Sequence, residues 1–301
     1  MMTEEIILFS SIEGNTQKLD GGAMFGNAPK ELWKHWIEPD ENNRIQLACR
    51  ALLIETSNVK ILIETGIGAY MKPKLQARFG IHPDSNQLVH SLASLGLNYA
   101  DITHIILSHL HFDHAGGLLS DYDANSDSEL LFPNATFLVG EKQWERANNP
   151  HPRDRASYIP RLHKLLNASG RLKLLRQDEM LSFGKTLEIS FYLSSGHTPG
   201  MLCPRLKWDN GELIFVADLI PGLPWIHAPI TMGYDRFPEI LVDEKSALLE
   251  EAALNRTFLF FTHDPETAVA IIDKNEKGRY YANETINHLS RTHLTRDKND
   301  E

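Results

Sequence analysis

The chain has 301 residues, 42% of them hydrophobic and 23% charged, an ordinary mixture for a chain that buries a sizeable core, so disorder is not expected. A formal net charge of -10 describes a surface that repels nucleic acid and anionic lipid, and neither is expected as a partner. The two cysteines, Cys49 and Cys203, are too few for a disulfide framework and fit a reducing compartment.

At the N-terminus, Glu4 and Glu5 stand where a signal peptide carries positive charge, and the apolar run Ile6 to Phe9 is short. No apolar stretch approaches the roughly 20 residues that cross a bilayer, so the expectation is a cytoplasmic protein without a membrane partner. Arg50 to Thr56 and Lys60 to Thr65 read as two strands joined by a turn at Ser57-Asn58. A helical pattern covers Asn86 to Leu95, and the strand Thr103 to Leu107 runs into His109. Asp121 to Ser128, rich in Asp and Ser, reads as a surface loop, and helical patterns return at Glu141 to Ala147 and Ala156 to Leu166. Leu187 to Leu193 reads as a strand ending before Gly196-His197. Asp209-Asn210-Gly211 is a hairpin signal leading into Glu212 to Ala217 and Asp218. Asp243 to Leu254 reads as a helix, Thr257 to Phe261 as a strand delivering His263, and Pro265 to Ile272 as a further helix. Residues 291–301 read as a fraying tail. Interleaved strands and helices without a repeat or linker predict one α/β domain over residues 1–301.

The segment Ser108-His109-Leu110-His111-Phe112-Asp113-His114-Ala115-Gly116-Gly117 places four potential metal ligands within six positions at the mouth of a predicted strand. An extended or tightly looped backbone presents 109, 111 and 113 to one side, while His114 turns toward a second point as a helix begins. A single histidine is more often a satisfied polar group. Burying several with an aspartate and no cation carries a large desolvation cost, so a metal is the simplest account. Imidazole and carboxylate ligands suit zinc and its first-row neighbours.

His109-Leu110-His111-Phe112-Asp113-His114 resembles the HxHxDH signature of the metallo-β-lactamase superfamily, and Gly196-His197-Thr198-Pro199-Gly200 resembles its GHTPG loop. Asp218 and His263, each following an apolar strand, fit the family's bridging aspartate and last histidine. The resemblance implies an αββα sandwich in which His109, His111 and His197 hold one metal and Asp113, His114 and His263 a second, with Asp218 bridging. Motifs 109–263 carry the likeness, and Ile61 to Gly66 resembles the strand and loop that abut the family's site. There the family usually has aspartate where this chain has Glu64, so a hydrogen bond onto the ligands is in question.

The resemblance implies two Zn²⁺, with Mn²⁺ or Fe²⁺ as substitutes, and a hydrolase acting through a hydroxide shared by the metals, whose pKa as water falls to roughly 7. Asp113 is expected to shuttle the proton. The segments Asp20 to Lys30, Asp154 to Tyr158 and Met232 to Asp235 resemble a bacterial subgroup of N-acyl-homoserine lactonases, with methyl-parathion hydrolase more distant. Met24, Phe25, Tyr158, His227 and Tyr234 are the expected substrate-lining residues. The lactonase tyrosine three positions after the bridging aspartate is Pro221 here. Pro221 to His227 lack a cation and predict an apolar lining for a neutral lactone or ester, a small-molecule substrate. An organophosphate or phosphodiester hydrolase, an iron-dependent oxygen-using member and a non-catalytic metal-binding protein stand as alternatives, and a homodimer is left open.

Overall fold

The computed structural model describes residues 6–295. The first part of the chain contributes β1 (Leu8–Ile12), β2 (Gln17–Asp20), α1 (Gly21–Phe25), α2 (Lys30–Trp33), β3 (Arg44–Leu47), β4 (Ala51–Glu55), β5 (Lys60–Ile63), α3 (Pro73–Phe79), α4 (Gln87–Ser94) and β6 (His104–Leu107). Next come α5 (Phe112–Ala115), β7 (Thr136–Gly140), α6 (Glu141–Asn148), α7 (Pro160–Ala168), β8 (Leu172–Leu175), β9 (Leu181–Phe183), β10 (Leu187–Ser194) and β11 (Met201–Trp208). The last elements are β12 (Gly211–Phe215), α8 (Pro238–Asn255), β13 (Phe258–Phe260), β14 (Val269–Lys274) and β15 (Tyr280–Ile286).

Two sheets face each other, one ordered β1-β4-β5-β6-β7-β8 and the other β15-β14-β13-β12-β11-β10-β9; β2 and β3 form a separate ribbon. Strict alternation along the strands explains the layering. In the first sheet Leu52, Ile54, Ile61, Ile63, Ile106 and Leu138 join the core between the sheets. Their neighbours Leu53, Leu62, Ile105, Leu107, Phe137 and Val139 pack instead with Leu88 and Leu92 of α4 and Leu162 and Leu166 of α7. A sheet buried on both faces reads as a continuous apolar run, as these strands do. On the other side Leu241, Leu248, Leu249 and Ala252 of α8 join the core of the second sheet, giving the expected αββα sandwich.

The hairpins at Ser57-Asn58 and Asp209-Asn210 form, pairing Glu55 with Lys60 and Trp208 with Gly211, and 121–128 is a largely exposed loop. Three expectations need correction. Pro265 to Ile272 is no helix: its β-branched half, Val269 to Ile272, becomes β14, which pairs with both β13 and β15. The expected helix from Ala156 starts at Pro160, with Ile159 extended and Arg155–Ser157 a separate 3₁₀ turn, because proline favours the first helical position and an extended residue before it. The tail does not fray through 291–294, since Thr292 exchanges backbone hydrogen bonds with Phe9 and Arg291 pairs with Glu55 at 2.9 Å. Residues 296–301, the rest of that expectation, lie outside the described residues, as do Glu4 and Glu5.

Candidate metal centre

β5, β6 and β7 run parallel, so the chain leaves β6 at the strand end where α/β sheets gather their chemistry. His109 follows within two residues, His111 is extended as the residue before α5, and Asp113 and His114 sit in the first turn of that helix. The backbone passes so close to the loop after β5 that a Cβ on Gly116 or Gly117 would overlap the carbonyl oxygens of Ile67 or Thr65. From the second sheet, β12 and β13 are also parallel, so Asp218 and His263 emerge beside each other. His197 arrives on the β10–β11 loop. Ala217, ahead of Asp218, has φ 45°, a conformation costly for a residue with a Cβ and common at sites that aim a side chain.

Five histidines and two aspartates thereby converge. His109, His111 and His197 form one group whose ligand atoms all lie within 4.8 Å of one another, and Asp113, His114 and His263 form another. Asp218 reaches both: its Oδ2 is 3.2 Å from His197 Nε2, and its Oδ1 is 3.2 Å from His114 Nε2 and from His263 Nε2. Asp113 lies 3.8 Å from His114 Nε2 and 3.6 Å from His263 Nε2.

The protein also sets which nitrogen four of the five rings turn inward. His263 Nδ1–H donates to Ala48 O at 2.6 Å, His197 Nδ1–H to Asp235 at 2.9 Å and His114 Nδ1–H to Glu64 at 2.9 Å. His109 Nδ1–H donates at 2.9 Å to Ser108 Oγ, which in turn donates to Glu64. The longer Glu64, itself at φ 64°, thus supplies the hydrogen bond that was in question for this position. These bonds leave Nε2 lone pairs facing inward, where His197 Nε2 meets His111 Nδ1 at 3.2 Å and His263 Nε2 meets His114 Nε2 at 3.2 Å. His109 Nε2 and Asp218 Oδ1 are buried with no hydrogen-bond partner. Opposed lone pairs and orphaned acceptors in a buried place are what a cation satisfies, so this donor set fits two metals of the nitrogen- and oxygen-binding kind.

The electrostatics are divided between the rings. Burial holds His109 and His111 well below the usual imidazole range, with neighbouring histidines adding to the effect. Burial also opposes charge on His114 and His263, but Asp218, with Glu64 at His114, outweighs it and raises both. Asp218 is held well below the carboxylate range because His114, His197 and His263 overcome its burial.

The cluster floors a cavity of about 310 Å³ that also touches Leu19, Phe79, Phe112 and Met232. Of the expected lining residues, Met24 and Tyr234 face it. Tyr158 does not: its ring stands 5.0 Å from that of His111 and its hydroxyl is 3.0 Å from Thr198 Oγ1, behind the cavity wall. Phe25 belongs to the core, stacked 4.6 Å from Trp225 and 5.4 Å from Trp33. His227 packs on Trp36 at 5.2 Å and, with Leu223 and Pro224, lines a different hollow beside Asp264. Pro221 to His227 therefore do not overhang the site, because Trp225 anchors the loop in the core by donating from Nε1 to Met24 O at 2.9 Å. The apolar lining expected from that loop is replaced by a mixed wall that includes Arg78, Arg153 and Asp154.

Four supporting residues escaped the sequence reading. Asp235 orients His197, and Gln17 donates to Asp113 Oδ2 at 2.7 Å. Arg50, buried, donates to the carbonyls of Phe261 and Asp264 at 3.2 and 3.0 Å and so holds the turn that carries His263. Lys245 donates to Ile230 O beneath the 230–235 loop. Only Asp235 left a signal, as the last residue of Met232-Gly233-Tyr234-Asp235.

The sandwich and the paired histidine–aspartate clusters define a metal-dependent hydrolase. Residues 44–263 match the model of the metallo-beta-lactamase superfamily, and the chain belongs to that superfamily. Among curated relatives, N-acyl homoserine lactonase AiiA of Bacillus thuringiensis subsp. kurstaki is 22% identical over 228 residues, covering 71% of this chain and 80% of the relative. A probable metal-dependent hydrolase from Staphylococcus aureus superposes with a TM-score of 0.81 at 25% identity, covering 97% of this chain and 100% of that one. AidC, a dizinc quorum-quenching lactonase in complex with its product N-hexnoyl-L-homoserine, superposes with a TM-score of 0.70 at 22% identity, covering 94% of this chain and 98% of that one. No helix among the described residues is long and apolar enough to cross a membrane.

Proposed function

We propose that the protein hydrolyses a lactone or ester, with N-acyl-homoserine lactones as the guiding class, at a centre of two metals. The observation that carries this reading is Asp218, whose two carboxylate oxygens each stand 3.2 Å from a histidine nitrogen of a different cluster. A carboxylate so shared would be common to two adjacent cations if each histidine group held one. His109, His111 and His197 would hold the first and Asp113, His114 and His263 the second; zinc suits a set made wholly of nitrogen and oxygen, and Mn²⁺ or Fe²⁺ could replace it. When bound, such a pair acidifies water and polarises the carbonyl oxygen under attack.

The chain's own residues do the rest. Asp113 borders the cavity and, in this reading, accepts the nucleophile's proton at Oδ1 and returns it to the leaving alkoxide. Gln17 steadies it through Oδ2. Met24, Leu19, Phe79 and Met232 offer apolar surface to an acyl chain, worth roughly 0.8 kcal/mol per buried methylene. The lactone reading draws support from AiiA and AidC, whose names state that activity. Residues 1–301 are read as one domain acting on a small molecule.

Metal analysis with a substrate panel of acyl lactones, aryl esters, phosphotriesters and a cephalosporin tests the reading. Close to two metals per chain and turnover of lactones or esters are expected, with Asp113→Asn lowering the rate roughly 10²-fold or more and Phe112→Leu far less. Fewer than one metal per chain after loading with zinc or manganese, or strong cephalosporin turnover, would sink it.

A further inference from the structure

Arg78 and Arg153 both line the cavity above the histidine–aspartate cluster, although they come from distant segments, the last turn of α3 and the loop after α6. Neither has a carboxylate partner within 4.0 Å among the described residues, whereas Arg44, Arg50, Arg146, Arg161, Arg205, Arg256 and Arg291 all do. The one carboxylate beside them in the wall outside the metal cluster, Asp154, is already taken: Arg146 donates to its Oδ2 at 2.6 and 3.0 Å, and Arg236 stands 3.8 Å from the same oxygen. Cations therefore outnumber uncommitted carboxylates around the entrance, on a chain whose net charge is -10.

The two arginines are also positioned. Arg153 Nη2 donates to Gly233 O at 2.9 Å, which ties it to the loop bearing Tyr234. Arg78 lies 5.8 Å from the ring of Phe79, and Phe79 packs at 5.0 Å on Phe112, between His111 and Asp113. Each guanidinium thus stands exposed at the cavity entrance with one local contact and retains further N–H donors in the planar fork that suits carboxylate and phosphate oxygens.

We propose that the substrate carries, besides its scissile ester or lactone, an anionic group, a carboxylate or a phosphate, and that Arg78 and Arg153 are the residues that select it. The inference rests on the hydrolase reading above and narrows its substrate class: an apolar chain against Met24, Leu19 and Met232, an acyl carbon over the cluster and an anion at the arginines. A wholly neutral acyl lactone leaves the free N–H donors of both guanidiniums to solvent and should turn over more slowly than a matched anionic ester.

Matched aryl esters whose acyl chains end in methyl, carboxylate or phosphate, offered to the metal-loaded enzyme, test this. The anionic esters should exceed the neutral one in kcat/KM by roughly tenfold or more, the scale of one charge-assisted hydrogen bond, mainly through KM and less so at high salt. The better of the two anionic arms names the group. In Arg78→Gln/Arg153→Gln the preference should collapse toward unity, and Arg78→Gln alone, at an exposed residue, should lose part of it. Arg161→Gln, outside the cavity, should retain it. Equal turnover of neutral and anionic esters by the unaltered enzyme, or a preference that survives in the double variant, would overturn the inference. Should none of the three esters be cleaved, the ester reading fails, and calorimetric binding of glutarate to the metal-loaded protein decides the charge question: at least tenfold weaker binding in the double variant supports it, and equal binding refutes it.

Discussion

Four of the five inward-facing imidazole nitrogens depend on a hydrogen bond made by the ring's other nitrogen to a residue outside the cluster. Asp235 accepts from His197 Nδ1 with one oxygen and from the backbone N–H of Met232 with the other, at 2.6 Å, so the ring and the 232–235 loop share one anchor. Asp235→Ala should weaken metal binding by roughly 10- to 100-fold, the usual effect of losing a ligand's hydrogen-bond partner; chelator competition measures it, and unchanged affinity would show that His197 needs no such support. Deeper in the same region, burial lowers the Lys245 ammonium to about 8 from an ordinary value of 10.5, with Asp235 opposing the shift. Between those two pH values the unfolded chain holds a proton that the folded chain has released, so this residue makes stability rise with pH across that window. Denaturant unfolding of the protein and of Lys245→Met at pH 7.5 and 9.5 should accordingly show the difference moving in favour of Lys245 as pH rises. A difference independent of pH would mean that burial does not lower the Lys245 pKa on folding.

At the level of elements, the centre is where two tight backbone crossings meet. The loop after β6 lies against the one after β5, with Gly117 N donating to Gly66 O at 2.9 Å and Thr65 N to His114 O at 2.9 Å. A side chain at Gly117 has no room beside the Thr65 carbonyl. Gly117→Ala is expected to push the two loops apart, destabilising by about 1 to 3 kcal/mol, the scale of overpacking, and to lower metal content as His114 shifts. Thermal unfolding with metal analysis on the same samples reads both effects, and a variant with normal stability and two metals would refute the tight crossing. β14 teaches a different lesson at this scale. Pro265 to Ile272 carries apolar residues at helical spacing, yet Val269 to Ile272 fills the gap between β13 and β15, where pairing outweighs a pattern that local periodicity leaves ambiguous.

Across the whole molecule the ligands divide between the sheets. His109, His111, Asp113 and His114 follow β6 of the first, while His197, Asp218 and His263 come from loops of the second. Metal held by these residues would clamp the two sheets at one edge, and ligands that bind only the folded chain add RT ln(1 + [L]/Kd), about 2.7 kcal/mol at a hundredfold excess over Kd. Dialysis against a chelator should lower the thermal midpoint and zinc should restore it, whereas a midpoint indifferent to chelation would deny the centre any part in joining the sheets.

The sequence by itself determined an α/β domain and the ligand cluster at 109–114, because both are written in local patterns, while the αββα sandwich and the partners His197, Asp218 and His263 came from the resemblance to the metallo-β-lactamase superfamily. Alternating apolar strands report sheet burial, and ligand residues crowded at strand ends, as in 109–114, report a cation. It could not report which nitrogen the histidines turn inward: the resemblance flagged Glu64 without saying which ring it meets, and Asp235 and Ala48 are remote in the chain from the rings they orient. The substrate wall was anticipated only at Met24 and Tyr234. Phe25 and His227 lie near the right motifs, but Trp225 pins their surroundings into the core, while Arg78 and Arg153, unremarked in sequence, meet at the cavity only through the packing of α3 and the anchoring of the loop after α6. Ligand identity is a property of short segments; the shape and charge around the ligands are a sum over long-range contacts, which tertiary structure alone decides.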